Sequence, residues 1–576
     1  MGRLTKYIRP YYLYIAFTMI VKLCGAVAEL FVPYFMERIL REGVVPGQQG
    51  RIFIYGGAML LCAGACLFMN IMANRMSAIS SGKITRKIRY DLFEKLNSLS
   101  ARQMDALTIP SAESRLTSDT YRVNEFLARG QRLGVRAPIL LVGGVVMMLT
   151  MDARLALVLV ALLPIIGLTV WIVTKKSIPL YTKEQSVLDD MVRVVAENVT
   201  GVRVVKALSK ADYERKRFDG VNSELTAVDS KAGAITALNN PIVSLVLNLG
   251  LTAVVVVGAY QVAGKHTETS VIVAFLQYFV MILNAMLGVT RIFIMASRSQ
   301  ASAMRVADVL ELPADLETVP ESGTADAEEA PHIEFRNVSF SYTGIGENIS
   351  DLSFKLRRGA TLGILGSTGS GKSTIINLLL RIYDADKGSI LIGGRDVRTI
   401  EKDELRSKFG AVFQNDFIIE GSIADNIRFF RPIGDEAVLS AAADAQAEEF
   451  IREKGGVDSP VDARGNNLSG GQKQRLLIAR ALASDPEILI LDDASSALDY
   501  KTDAMLRRAL AQNHGKTTTV LIAQRISSVR NADLILVLDD GKVIGAGTHD
   551  ELMDNCDEYR LIADTQMGTG EEAVNE

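Results

Sequence analysis

The residues with the most specific chemistry lie in "LGILGSTGSGKSTIINLLL", an apolar, β-rich run that passes through a loop into a helix. The run ends at Gly366, the loop continues through Ser367, Thr368, Gly369, Ser370 and Gly371, and Lys372, Ser373 and Thr374 open the helix. Glycines here let backbone N–H groups curl around phosphate oxygens, and a helix N-terminus favours the negative charge. In this reading Lys372 neutralises β/γ-phosphate charge and Ser373 ligates Mg²⁺. A short pattern of this kind also arises by chance, so its weight comes from the strand–loop–helix context.

The chain that must position this loop falls into two unlike parts. At 576 residues it is too long for a single core. Nearly all long apolar runs precede residue 300, and the remainder reads as a soluble α/β protein. A net charge of −3 argues against a nucleic-acid partner held by a basic surface. Four cysteines, three of them inside apolar runs, give neither a disulfide framework nor a metal set.

Six segments are long enough to cross a bilayer, which takes about 20 helical residues. They lie at Tyr11–Phe35, Arg51–Ala73, Val135–Thr150, Arg154–Lys175, Pro241–Ala263 and Val271–Ala296. The first is read as a span rather than a signal peptide, with Arg3, Lys6 and Arg9 as its basic flank. Met151, Asp152 and Ala153 alone separate the third from the fourth, which predicts a tight hairpin. Long, charged, helix-favouring stretches follow the second and fourth spans, and at ~1.5 Å per residue such helices project roughly 40 Å. Their Lys and Arg content predicts that these extensions and both termini lie in the cytoplasm; the membrane is expected to be the plasma membrane. The expected organisation is a six-span all-α membrane domain over 1–306, an acidic linker over 307–331, an α/β nucleotide-binding domain over 332–566, and a disordered tail over 567–576.

A second block, "NNLSGGQKQRLLIARAL" followed by "PEILILDDASSALD", makes the chain resemble the ATP-binding cassette (ABC) proteins. Ser469, Gly470, Gly471 and Gln472 match that family's signature loop, Asp492 its Walker B carboxylate, and Ser496 to Asp499 its D-loop. Tyr342 matches the aromatic that stacks on adenine, and Gln414 the Q-loop glutamine, a Mg²⁺ and water contact. The six-span, long-loop membrane half is similar to exporter-type members. The resemblance implies ATP and Mg²⁺ as ligands, with Ser373, Gln414 and Asp492 at the metal. It also implies a second half-transporter as partner, because each ATP is trapped between one chain's P-loop and the other's signature.

Two positions depart from the family pattern. The residue after Asp492 is usually Glu, which polarises the attacking water, and here it is Asp493. The switch-loop His is replaced by Gln524. Aspartate is one methylene shorter, and glutamine cannot carry a proton as histidine does. One reading is a slow but competent site. The sharper reading is a heterodimer, resembling bacterial multidrug ABC exporters, in which this chain supplies the degenerate site and an intact signature to a partner with Glu and His. In "SPVDARG", before the signature, Asp462 is given no role.

The resemblance further implies that short helices at the turns of the long extensions dock on an ATP-binding domain. The candidates are "MDALTIPSAESRLTSDT" and "KALSKADYERKRF", with Tyr213 or Phe218 as a plug. Polar residues inside spans point to a translocation route, foremost Lys22 and Glu29, seven apart on one helical face, then Asn248, Gln277 and Asn284. The function expected is ATP-driven, alternating-access movement of an amphipathic drug, lipid or peptide. An importer on the exporter plan, a homodimer with two slow sites, and an ATP-gated channel or regulator are the alternatives.

Overall fold

A computed structural model of the chain describes residues 2–313, 316–319, 330–414 and 417–567. About half of the expected linker and nearly all of the expected tail lie outside the described residues. The described chain forms two units, Met1–Asn97 with Pro110–Leu312, and Ser98–Ile109 with Pro313–Glu576.

The first unit is helical. Its principal helices are α1 (Tyr12–Arg38) and α2 (Gln49–Ser98). After α3 (Ala101–Leu107), which belongs to the second unit, come α4 (Thr120–Met151) and α5 (Ala153–Thr200). The unit closes with α6 (Ala211–Ala237), α7 (Asn239–Ala263) and α8 (Thr269–Leu310). All six expected spans fall within helices, and α2 and α5 run on without a break from span into extension. Five helices among the described residues are apolar and long enough to cross a membrane. The expected fourth span lies in α5, where several side chains are outside the described residues.

The hairpin at Asp152 forms because its side chain caps α5, accepting from the amides of Arg154 (2.9 Å) and Leu155 (3.1 Å). Small residues bring helices together. A Cβ at Gly143 would lie 2.4 Å from Leu30, and one at Gly144 would lie 2.8 Å from Ile282. Tyr278, fully buried, donates to the Leu30 carbonyl at 2.6 Å and ties α8 to α1.

Among its described residues the second unit carries twelve strands: β1 (Ile333–Phe340), β2 (Ile349–Leu356), β3 (Thr361–Gly366), β4 (Lys387–Ile392), β5 (Arg395–Asp396), β6 (Phe409–Val412), β7 (Gly421–Ser422), β8 (Pro460–Val461), β9 (Ile488–Asp492), β10 (Thr518–Ile522), β11 (Leu534–Asp539) and β12 (Lys542–Gly547). The main sheet has the order β12-β11-β3-β10-β9-β6 and is parallel from β11 to β6. Its central strands are continuous apolar runs because both faces are covered. A four-stranded sheet, β2-β1-β4-β5, is antiparallel. Beside a third that packs the C-terminal helices on β11, two large hydrophobic clusters carry the site. One joins the antiparallel sheet to β3 and the helix after it, and the other surrounds the helix that follows the signature residues.

Candidate functional site

Ligands of parallel α/β sheets bind beyond the carboxyl ends of the strands, and three such ends converge here. Register places Ile522 of β10 beside Ile364 of β3 and Asp492 of β9. The P-loop leaves β3, Asp492 and Asp493 leave β9, and Gln524 follows β10 by two residues.

Gly366 and Gly371 are required by the loop's shape. Gly366 has φ 154°, and a Cβ there would sit 2.3 Å from the Leu538 carbonyl oxygen. Gly371 has φ 102°, and its Cβ would fall 2.6 Å from Ile349. Gly371 is the N-cap of α9 (Lys372–Leu379) and offers no side chain to it, so the first amides of α9 remain available to an anion. Lys372 curls back, donating from Nζ to the carbonyls of Gly366 (2.9 Å) and Ser367 (2.7 Å). Ser370, within the loop, is buried, and among the described residues its Oγ has no partner.

Ser373 donates from Oγ to Asp492 Oδ2 at 3.0 Å. A hydroxyl and a carboxylate side by side, beyond a phosphate cradle, suit Mg²⁺, which takes few protein oxygens and completes its shell with phosphates and water. Burial pushes the Asp492 carboxyl above the usual carboxylate range, Ser373 partly offsets this, and the neighbouring charge of Asp493 adds to it. Burial likewise lowers the Lys372 ammonium, against the pull of Asp492 and Asp493. A phosphate and Mg²⁺ at this site would favour both charged forms.

Asp493 has φ 53°, a left-handed conformation that aspartate adopts more readily than most side chains. Its amide donates to the Ile522 carbonyl at 3.0 Å. Gln524 Nε2 donates to Asp493 Oδ2 at 3.2 Å, so the two departures from the family pattern are hydrogen-bonded to each other.

Tyr342 stands edge-on to Phe340 (4.9 Å between centroids) and to Tyr383 (5.1 Å). Its hydroxyl bonds to Thr374 Oγ1 at 3.3 Å and accepts from Asn377 at 3.1 Å. Gln414 is exposed just beyond β6.

The signature residues stand on the other hydrophobic cluster. Ser469 caps α10 (Gly470–Leu482) in a reciprocal box: its Oγ accepts from the Gln472 amide at 3.3 Å, and its own amide donates to Gln472 Oε1 at 3.0 Å. Asp499, expected at the nucleotide, caps α11 (Tyr500–Asn513) through the Thr502 amide at 3.1 Å. The structure therefore brings together Lys372, Ser373, Asp492, Asp493 and Gln524, with Tyr342 beside Thr374, and holds Ser469 to Gln472 on a separate support.

Sequence reasoning missed Gln474, which donates to Ser496 Oγ and accepts from the Ala497 amide, both at 2.9 Å, and so locks α10 to the D-loop. Its place in "SGGQKQ" was the available signal. It also missed the partners of α3. Ser100 and Gln103 form a capping box at its start, Tyr383 donates to Asp105 at 2.5 Å, and Arg102 reaches Asp386 at 3.3 Å and lies over Phe340. Burial and the adjacent Asp105 carboxylate hold the Tyr383 phenol well above its usual range. Of the other docking candidates, Tyr213 and Phe218 are exposed on α6. Among the polar span residues, Lys22 is buried, Glu29 half-buried, and Asn248, Gln277 and Asn284 exposed.

A family model for the ABC transporter transmembrane region matches residues 15–286, and one for the ABC transporter matches residues 349–496. An uncharacterised ABC transporter ATP-binding protein of Mycobacterium tuberculosis is 32% identical over 98% of this chain and 97% of its own length. The probable multidrug resistance ABC transporter ATP-binding/permease protein YheH of Bacillus subtilis is 30% identical over 90% of this chain and 76% of its own length. Among solved structures, a bacterial Atm1-family ABC exporter with ATP bound superposes with a TM-score of 0.79 at 23% identity, over 97% of this chain and 98% of the other.

Proposed function

The chain belongs to the ABC transporter family, with ATP hydrolysis coupled to transport, and from that premise we propose that it is the slow-hydrolysing half of a two-chain exporter. Its own P-loop site binds ATP: Lys372 and the open amides of α9 take the phosphates, and Tyr342 meets the adenine. Ser373 and Asp492 hold Mg²⁺ when it is bound, with Gln414 completing the contact, and the metal screens phosphate charge. Asp493 is the candidate base for the attacking water, and Gln524 steadies it.

The observation that carries the reading is the 3.2 Å bond from Gln524 to Asp493. Asp493 is a methylene shorter than glutamate, and one of its oxygens already accepts from an amide that cannot shuttle a proton. A displacement of about 1 Å at a reacting centre costs on the order of 10²-fold in rate. The signature, by contrast, is complete and rigidly capped, which suits service at the partner's site. Nucleotide closure of the paired domains drives the membrane helices between inward and outward openings. The cargo is an amphipathic compound, a reading supported by the multidrug description of YheH. The ATPase unit and both termini face the cytoplasm, in the plasma membrane.

The test is turnover by the purified chain alone in lipid. ATP should bind, and hydrolysis should run about 10²-fold below that of an exporter carrying Glu and His at these positions. Turnover at that exporter's rate would refute the proposal.

A further inference from the structure

The geometry points to a binding site for the anionic head of an amphiphile, a long-chain carboxylate, at the polar cluster shared by α1, α2 and α4. The site takes its purpose from the exporter reading, but its chemistry stands on its own residues.

Lys22, 5% exposed, projects from α1 and donates to Asn70 Oδ1 of α2, a neutral partner. The Asn70 amide group is fixed in that orientation because its Nδ2 donates to the Cys66 carbonyl at 2.8 Å. Seven residues further along α1, Glu29 is engaged by Arg136 of α4 in a fork: Nε donates to Oε2 at 3.1 Å and Nη2 to Oε1 at 2.6 Å. Both Glu29 oxygens are thus directed at Arg136 rather than at Lys22.

Charge does not balance here. Within the first three spans Glu29 is the sole carboxylate, while Lys22 and Arg136 are both cations, and Arg132 also acts on Lys22. A pair of interhelical staples needs only the Glu29–Arg136 fork. It does not account for a buried ammonium whose hydrogen-bond partner is an uncharged amide, a costly arrangement in an apolar medium. An entering carboxylate supplies the missing charge, and Arg136, its side chain 40% exposed, offers a second donor at the rim. Apolar neighbours suit a tail: α1 approaches α2 so closely at Gly25 that a Cβ would lie 3.3 Å from Met69 Cβ.

The test uses the full-length purified chain in nanodiscs of phosphatidylcholine, without nucleotide. The probes are 11-(dansylamino)undecanoic acid and its methyl ester, titrated by fluorescence against empty discs. The acid should bind at least tenfold tighter than the ester. Lys22→Gln should bring the two within about twofold, while Lys22→Arg keeps the preference. Equal binding of acid and ester by the unaltered chain overturns the proposal, and that comparison needs no variant to fold. A preference that survives in a folded Lys22→Gln protein overturns it as well. ATP-driven movement of the acid across vesicles that hold this chain together with its partner half-transporter is a separate measurement: selective binding without such movement would count against the exporter reading and leave the site standing.

Discussion

Removing one hydroxyl, by Tyr383→Phe, should loosen helix α3 from the ATPase unit without disturbing the nucleotide site. The Tyr383 ring is buried against Phe340 and Tyr342, while Asp105 is exposed. A hydrogen bond to a charged group contributes about 1.5–3 kcal/mol. Asp105 can turn to water when the phenol is gone, so a loss of about 1–2 kcal/mol is expected, a factor of roughly 5–30 in the docked population. The remaining contacts are weaker. The Arg102–Asp386 pair is half-exposed on both sides, and its kind adds about 0–1 kcal/mol. The measurement is amide hydrogen exchange across 101–107, compared with strands β3 and β9. Protection of α3 should fall by that factor while the strands keep theirs, and ATP consumed per molecule transported should rise. Unchanged protection of 101–107 would refute the assignment of Tyr383 as its anchor.

Other consequences follow from the same contacts. Lys372→Ala should abolish ATP binding in an equilibrium assay, whereas Ser373→Ala should mainly weaken its Mg²⁺ dependence. Ser469→Ala removes the cap of α10, a loss of about 1 kcal/mol visible in thermal unfolding, and should slow hydrolysis at the partner's site while own-site ATP affinity is kept. Burial lowers the His332 pKa below its ordinary 6.5, with Arg358 acting in the same sense. The stability this provides is present above pH 6.5 and is lost as the pH falls through the lowered folded-state value, because the unfolded chain binds the proton more readily. Denaturant midpoints should therefore decline on acidification below pH 6.5, less steeply in His332→Gln.

The P-loop and signature were legible because backbone geometry demands particular residues at fixed spacing. A Cβ cannot be accommodated at Gly366 or Gly371, and Ser469 with Gln472 forms a cap that any sequence scan can find. The long helices that contain the six expected spans were legible from apolar length alone, and so was the turn at Asp152. Partnerships between distant segments were not. Tyr383 and Asp105 are separated by 278 positions, and neither residue type announces the other. Lys22 and Glu29 share a helical period, yet they face different helices, since α1 is wedged between α2 and α4. Asp499 matched a motif, and its capping of α11 is a structural duty that the motif does not express. Asp493 and Gln524 were each readable as departures. Their hydrogen bond, and the left-handed backbone that favours a short acid, arise only when β9 and β10 pair side by side.

Single-turnover release of phosphate from ATP at the chain's own site tests the central claim most directly, comparing the native protein with an Asp493→Glu, Gln524→His double variant. With ATP affinity equal in both, the double variant should release phosphate about 10²-fold faster. Equal rates would contradict the claim that these two side chains make the site slow.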